Sequence, residues 1–316
     1  MRKEELWAIE RIVDEENDWR HLPQNAFTRD GKAVVSIIST ENRELKEAIG
    51  LAVDKIGGLN KVLAPGDRVL LKANFNSDDP PPAITDPAFL TAVVELMREQ
   101  GIDNLTLGER SGWPWMPTAR VLKEMGIFTT AESLDLPVID FDQGPWMDVR
   151  LGREAKYWDK IAYHKSLKEF DKIVFLPCMK HHFLARFTMS IKLTVGLTHP
   201  KDMIHLHADR HMGKTDEPME LKMPEMALPV TPDLIIMDGR KAFVTDGPAN
   251  GELVKPNVIL ASGDRLAIDV EGVKILQSYP RENRIQMPVW QIPSIQRAIE
   301  LGLGVSSEEE YMVEKS

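Results

Sequence analysis

The side chains best suited to acid–base or metal chemistry are concentrated in one stretch of the chain. Residues 177–211 hold six of the eight histidines and the only cysteine. The apolar run 173–177 predicts a buried strand, so Lys180, His181 and His182 follow at its carboxyl end, where open α/β sheets bind ligands. Neighbouring residues of an extended chain point to opposite faces, and one of the two histidines is therefore expected to face a ligand. Lys180 is a candidate for binding the substrate.

A single lysine, Lys192, lies inside the apolar stretch 188–197. An unpaired ammonium in such surroundings costs several kcal/mol. A lysine placed there is normally paired, neutral or used covalently, which makes Lys192 a candidate catalytic or cofactor-binding residue. The alternative is a lysine at the end of a helix whose ammonium reaches water.

Two further histidines, His205 and His207, are separated by one residue. If this segment is a strand, both imidazoles lie on one face, with His199 and His211 within reach along the chain. Such a set predicts a site for a divalent transition metal such as nickel or zinc, with His205 and His207 as ligands. A structural or solvated role is the alternative, because the pattern lacks a fixed third ligand.

Polar residues also end or follow two other predicted strands. Lys72, Asn74 and Asn76 belong to the strand 68–72 and its loop, and Glu109 and Arg110 follow the strand 105–108. Basic side chains attract a phosphate or carboxylate, and asparagines supply hydrogen bonds. All of these except Glu109 are therefore candidates for substrate binding, and Glu109 is a candidate catalytic residue. Asx turns and merely solvated charges are the alternative interpretations.

The elements that must position these groups alternate between strands and helices. Strands are predicted at 33–38, 68–72, 105–108, 137–140, 173–177, 233–239 and 257–262, and helices at 41–56, 87–100, 118–125 and 265–277. The alternation predicts an α/β fold with a mostly parallel sheet and helices on both faces.

The length of 316 residues suits one large domain or two ordinary ones. We place a helix and arm at 1–30, a first α/β lobe at 31–135, a second lobe with the histidine-rich stretch at 136–290, and a closing helix with an acidic tail at 291–316. In the two-lobe arrangement, a crevice between the lobes holds the site.

The composition argues against several classes of function. The chain has 39 basic and 49 acidic residues, a net charge of -10 and no basic run, which argues against nucleic-acid and membrane partners. No apolar run approaches the roughly 20 residues that span a bilayer, and the start has no signal-peptide core, so we expect a cytoplasmic protein. One cysteine excludes an iron–sulfur cluster held within this chain. The expected partner is a small-molecule ligand, and the aromatic N-terminal arm suits a homo-oligomer.

Motifs spread over about residues 33–280 resemble the family named domain of unknown function 362. They are Val69-Leu-Leu-Lys-Ala-Asn-Phe-Asn76, Thr85-Asp-Pro87, Gly108-Glu109, Lys180-x-His182, Ser190-x-Lys192 with Gly196-Leu197, Asp238-Gly239 with Gly247-Pro248, and Ala261-Ser-x-Asp264 with Ala267-x-Asp269. The resemblance implies a fold and a polar crevice but no established reaction. Many relatives carry an added cysteine-rich ferredoxin module, which this chain lacks.

Residues 182–197, followed by His205 and His207, are more distantly similar to part of the nickel-pincer lactate racemase family. That part carries a histidine acid/base, the lysine tethered to the pincer nucleotide and a nickel-ligating histidine. The resemblance implies His182 as proton shuttle, Lys192 as cofactor anchor, and His207 or His205 as metal ligand.

Together these features favour an enzyme acting on a small anionic substrate, hydroxy-acid-like or phosphorylated, by metal- or cofactor-assisted proton or hydride chemistry. An isomerase or an oxidoreductase is the expected class. The racemases' second acid/base histidine has no counterpart, because Gly108-Glu109-Arg110 stands in its place. The rival hypothesis is therefore a non-catalytic protein that binds or carries a small ligand or cofactor.

Overall fold

The computed structural model describes residues 10–113, 115–211, 218–280, 283 and 285–316, with only the backbone for 209–211. The strands in these residues are β1 (Glu15–Asn17), β2 (Thr28–Arg29), β3 (Lys32–Ser39), β4 (Val69–Lys72), β5 (Leu105–Glu109), β6 (Val138–Asp140), β7 (Trp146–Arg150), β8 (Lys160–His164), β9 (Lys172–Phe175), β10 (Cys178–His182), β11 (Arg186–Thr188), β12 (Leu234–Phe243), β13 (Leu253–Val254), β14 (Val258–Ser262) and β15 (Tyr311–Lys315).

The α-helices of the described residues are α1 (Leu45–Ile56), α2 (Pro87–Glu99), α3 (Thr118–Glu124), α4 (Ile127–Ser133), α5 (Ser190–Leu193), α6 (Pro200–His211), α7 (Met219–Lys222), α8 (Arg265–Gln277) and α9 (Pro293–Glu300). Single turns of 3-10 helix span Leu59–Lys61, Phe141–Gln143, Lys165–Glu169, Thr194–Leu197, Met223–Ala227, Val289–Gln291 and Glu308–Glu310. Among the residues so assigned, no helix has both the length and the apolar character that a membrane crossing needs.

One large sheet of twelve strands dominates the fold, and eight of its strands follow the order β15-β3-β14-β12-β9-β4-β5-β6. Along this path the pairings are parallel except the two that β14 makes with β3 and β12. Strand β10 joins beside β12, while β1, β7 and β8 form a separate small sheet. The prediction of a mostly parallel α/β sheet is confirmed.

Helices cover both faces of the sheet, because successive strand residues point into two different apolar cores. Val69 and Leu71 of β4 belong to the core built with α1–α4, whereas Leu70 belongs to the core that includes β7, β8 and α5–α9. Strand β4 is therefore buried on both sides, and its polar groups can emerge only at its ends.

The chain changes its direction of travel across the sheet between β4 and β9. From β4 it continues to β5 and β6 on one side, whereas from β9 it continues to β12 and β14 on the other. Lys72 is paired with Phe175, so the two strands end at the same level. In open α/β sheets, ligands bind at the carboxyl ends of the strands at such a switch point.

The structure adds detail to three of the predicted ranges. The ranges proposed as two lobes share one sheet, since β4 pairs with β9. Residues 1–9 of the expected N-terminal helix and arm lie outside the described residues, and residues 10–30 contain β1 and β2 but no helix. The closing helix is α9, but the acidic tail ends in β15, which pairs with β3 along the sheet edge.

Candidate active site

A cavity of about 170 Å³ opens at the switch point, beside the carboxyl ends of β4, β5 and β9. Nine of the ten residues proposed from the sequence line it, namely Lys72, Asn74, Asn76, Glu109, Arg110, Lys180, His182, Lys192 and His207. His205 does not line it. Parallel pairing of the strands is what brings these distant segments of the chain to one place.

Lys72 and Glu109 form a buried ion pair at the base of the cavity. Lys72 Nζ lies 2.5 Å from Glu109 Oε1, and each side chain is 1% exposed. Glu109 also accepts hydrogen bonds from the backbone N–H groups of Phe75 and Arg110, both at 2.8 Å. Burial lowers the pKa of the Lys72 ammonium and raises the pKa of the Glu109 carboxyl, and the pairing of the two groups offsets both effects.

Gly196 makes room for this pair. A Cβ atom at Gly196 would lie 2.7 Å from Lys72 Nζ and 3.0 Å from Glu109 Oε1. A side chain at position 196 would displace the ion pair, and this close approach explains the glycine there.

Three residues that line the cavity each have one buried polar atom without a hydrogen-bond partner in the described chain: Asn76 Oδ1, Ser77 Oγ and Arg110 Nε. The Arg110 terminal nitrogens are satisfied, since they donate to the carbonyls of Ser111 (2.9 Å) and Val195 (3.0 Å). A buried unsatisfied polar group costs about 1–3 kcal/mol. These atoms therefore suit a ligand that offers both an acceptor and a donor.

Strand β10 presents alternate residues to the cavity. Cys178, Lys180 and His182 line it, whereas His181 does not, which confirms that only one of the adjacent histidines faces the crevice. Lys180 Nζ donates to the carbonyl of Ala83. Burial lowers the pKa of Lys180 and raises that of the Cys178 thiol, so the cysteine stays protonated and is a poor nucleophile.

The proton of neutral His182 is fixed by its own loop. Its Nδ1 accepts hydrogen bonds from the backbone N–H groups of Leu184 (3.1 Å) and Ala185 (3.2 Å), so the neutral ring carries its proton on Nε2. Burial, followed by the positive charge of Lys192, lowers the pKa of His182 well below its usual value. His182 is therefore a neutral hydrogen-bond donor in this site.

The short helix that carries Lys192 is held at its start by a buried carboxylate from another helix. Asp269 on α8 accepts hydrogen bonds from the backbone N–H groups of Ser190 (2.8 Å) and Ile191 (3.0 Å), at the start of the short helix α5. Burial, together with the nearby Lys180 and Arg110 charges, lowers the pKa of Lys192 to about 7. At neutral pH a large fraction of Lys192 is therefore an uncharged amine.

The prediction that His205 and His207 share one face is wrong, because both lie on helix α6 rather than on a strand. Residues two apart on a helix are separated by about 200° around its axis, so only His207 reaches the cavity and His205 is exposed. His207 Nδ1 lies 2.8 Å from the carbonyl of Met203 and donates to it, which leaves the lone pair of the neutral ring on Nε2.

The other histidines proposed near the metal do not complete a site. His199 packs edge-on against Trp146, with 5.0 Å between ring centroids, and burial lowers its pKa to about 4. The side chain of His211 lies outside the described residues. Across the described part of the chain, no group of three or more His, Cys, Asp or Glu side chains is arranged to hold a metal ion.

The charge of the lining favours an anion. Four cationic side chains and two carboxylates, those of Asp79 and Glu109, surround the cavity, a formal excess of two positive charges. The chain as a whole has a net charge of -10. A positive cleft in an acidic protein concentrates small anions from solution.

Three contributors to the site have no assigned role in the sequence interpretation. Gly196 and Asp269 belong to the motifs that carry the family resemblance, but the motifs alone did not reveal what these two residues do. Ser77 follows Asn76 directly and offered no signal beyond that position.

Comparisons with known proteins place the chain among proteins of unassigned activity. The family model described as Domain of unknown function (DUF362) matches residues 69–274. A thylakoid-associated protein of Synechocystis sp. is 28% identical over 252 residues, which cover 78% of this chain and 75% of that protein. The structure of lactate racemase apoprotein from Thermoanaerobacterium thermosaccharolyticum aligns with a TM-score of 0.46 at 12% identity over 78% of this chain, and the chain spans 58% of its length.

Proposed function

Because the chain belongs to the family described as Domain of unknown function (DUF362), no relative's reaction can be transferred to it, and we propose its activity from the cavity itself. The proposal is an enzyme that binds a small organic anion and moves a proton at a carbon beside the ligand's carbonyl or hydroxyl group. The observation that carries it is the position of the Lys192 amine, which lines the cavity together with Lys180 and Arg110 and whose lowered pKa of about 7 suits a general base at neutral pH.

The supporting geometry for anion binding is the wall of Arg110, Asn76 and Ser77. Arg110 Nε can donate to a carboxylate or phosphate oxygen, and Asn76 Oδ1 can accept from a hydroxyl group. Lys72 adds positive charge from its ion pair with Glu109. Since the Glu109 oxygens already accept three hydrogen bonds, we assign Glu109 to positioning Lys72.

His182 supports the same chemistry from a different direction. A neutral imidazole that donates from Nε2 can stabilise negative charge on a ligand oxygen when a proton leaves the adjacent carbon. This assigns His182 to the oxygen and Lys192 to the proton. The division of roles follows from the backbone contacts that hold the His182 ring and from the depressed pKa of Lys192.

A metal held by protein side chains alone does not fit, because the described residues lack a group of three suitable donors. An organic cofactor that brings its own metal donors is the alternative to a free amine: Lys192 could anchor it, in which case Lys192 would not act as the base, and His207 could ligate its metal. Such a group would supply a two-electron acceptor for hydride chemistry when bound. For this alternative, mass spectrometry of protein from its native host would show added mass at Lys192, and metal analysis would show a stoichiometric transition metal; protein without added mass at Lys192 would support the free amine.

Chemical labelling tests the central claim without knowledge of the substrate. Limiting acetic anhydride, applied between pH 6 and 9 and mapped by mass spectrometry, should modify Lys192 with a midpoint at about pH 7. Exposed Lys241 serves as the internal reference for reagent, and saturating acetate or phosphate should protect Lys192. A midpoint above pH 9, or no protection, would contradict the proposal.

Proton exchange then separates an enzyme from a carrier. Small 2-hydroxy and 2-oxo acids are incubated with the protein in deuterium oxide and followed by NMR. Deuterium should enter the carbon beside the carbonyl or hydroxyl group with the natural protein and not with Lys192→Met. Binding of these acids without exchange by either protein would support the non-catalytic carrier.

A further inference from the structure

The mouth of the cavity is aromatic, in contrast to its cationic interior. Trp113 and Phe183 both line the cavity, and Phe183 is 51% exposed. Trp113 stacks on Trp115, with 4.7 Å between ring centroids and 10° between planes, and Trp115 is 39% exposed. Leaving large aromatic surfaces open to water is unfavourable unless something covers them.

Each of these aromatic groups contacts one of the two imidazoles of the cavity. The Phe183 ring lies parallel to His182, 5.3 Å away with an interplanar angle of 3°. The Trp113 ring lies 4.9 Å from His207. The apolar mouth is therefore continuous with the polar groups that face the bound anion, and a substituent on a ligand held by those groups would meet these rings.

We propose that Trp113, Trp115 and Phe183 hold an apolar, flat substituent of the cavity's ligand, which makes the ligand class an aryl-substituted or similarly flat organic anion. This inference rests on the proposed function, because it requires the anionic end to occupy the Arg110 wall. The flat surfaces of Trp and Phe favour stacking on another ring, and the cavity's positive charge selects the acid over an amine.

Calorimetric titration of the full chain with acetate, phenylacetate and benzylamine tests the inference. Phenylacetate should bind about tenfold more tightly than acetate, because its ring would pack against the aromatic side chains. Benzylamine has the same ring with the opposite charge and should bind about tenfold more weakly than phenylacetate. Equal affinity for phenylacetate and benzylamine would overturn the inference, since the ring would then bind independently of the anion.

A matched pair of variants locates the effect. Phe183→Ala should reduce the preference for phenylacetate over acetate to about threefold or less. Phe128→Ala removes a phenylalanine that is 39% exposed on α4 and does not line the cavity, so the tenfold preference should remain. Trp113→Ala should act as Phe183→Ala does. An unchanged preference in both mouth variants would overturn the inference.

The outcomes also separate the inference from the proposed function. If acetate and phenylacetate both bind and differ less than about twofold in affinity, the aromatic substituent is excluded while the anion site stands. If neither anion binds, the proposed function fails and the inference fails with it.

Discussion

The two sides of the cavity treat a lysine in opposite ways. On the β4–β5 side, Lys72 lies 2.5 Å from Glu109, which is itself held by two backbone N–H groups. On the β10–α5 side, burial and the positive charges of Lys180 and Arg110 all lower the pKa of Lys192. On the first side the charge of Lys72 is compensated by Glu109, whereas on the second side Lys192 is available as an uncharged amine.

This difference shows how one cavity can be both stable and reactive. An ion pair with further hydrogen bonds keeps its geometry, and here it forms the base of the cavity in which a ligand binds. A lysine without an opposing carboxylate gives up part of its charge, and its free energy depends on pH and on a bound anion. Variants that remove one lysine or its support should therefore behave differently on the two sides.

The largest effect is expected from Glu109→Gln. Removal of the carboxylate leaves the Lys72 ammonium buried without its counter-charge, which should lower the free energy of unfolding by about 3–5 kcal/mol in urea titrations. The double variant Lys72→Met/Glu109→Gln removes both charges and should recover a large part of that loss. A single variant within about 1 kcal/mol of the natural protein would show that the pair contributes little.

A smaller effect is expected for Lys192, whose contribution to stability should depend on pH. Its pKa is lowered from 10.5 to about 7 in the folded protein, so between these values the folded state binds fewer protons than the unfolded state. Stability should therefore rise with pH there, by at most about 1.4 kcal/mol per pH unit, and Lys192→Met should lack this contribution.

Urea unfolding at pH 7 and pH 9, in a buffer of low anion affinity, measures this difference. The unfolding free energy of the natural protein relative to Lys192→Met should increase by up to about 2.5 kcal/mol over that interval. Lys241→Met changes an exposed lysine and serves as the control. A constant difference between the natural protein and Lys192→Met would show that Lys192 remains an ordinary ammonium.

The smallest effect on stability is expected from Asp269→Asn, which tests how the start of α5 positions Lys192. Loss of the carboxylate at the start of α5 should cost about 1–2 kcal/mol and shift the pH midpoint of Lys192 acetylation. Asp264→Asn provides a matched control, because Asp264 caps α8 through Ala267 N at 2.8 Å and lies outside the cavity. Equal acetylation midpoints in both variants would show that Asp269 has only a structural role.

Most of the fold was accessible from local patterns. The strand β4 follows from the apolar run that ends in Lys72, and α8 follows from helical periodicity after Asp264, whose side chain caps it. The C-terminal segment was different: it was predicted as an acidic tail after a closing helix, yet Tyr311–Lys315 forms a strand that pairs with β3. A partner strand nearly 300 residues away in the sequence outweighed the local composition.

The residues of the candidate site also differ in how far local patterns could predict them. Seven of its residues could be proposed from residue type and position at strand ends, because parallel strands bring their carboxyl ends to one rim. The other two, Lys192 and His207, were proposed from an apolar stretch and from the spacing of two histidines. His205 was misplaced because His-Leu-His fits a strand as well as a helix, and two-residue spacing places side chains on one face only in a strand.

The sequence by itself determined the α/β alternation, the polar strand ends and the excess of histidine in one stretch, since these depend on residue type and short spacing. Only the tertiary structure decided which charges are compensated. Lys72 and Lys192 are the same residue type in apolar surroundings, but the distance to Glu109 separates a structural ammonium from a reactive amine. That distance is set by pairing between β4 and β5, and no local pattern contains it.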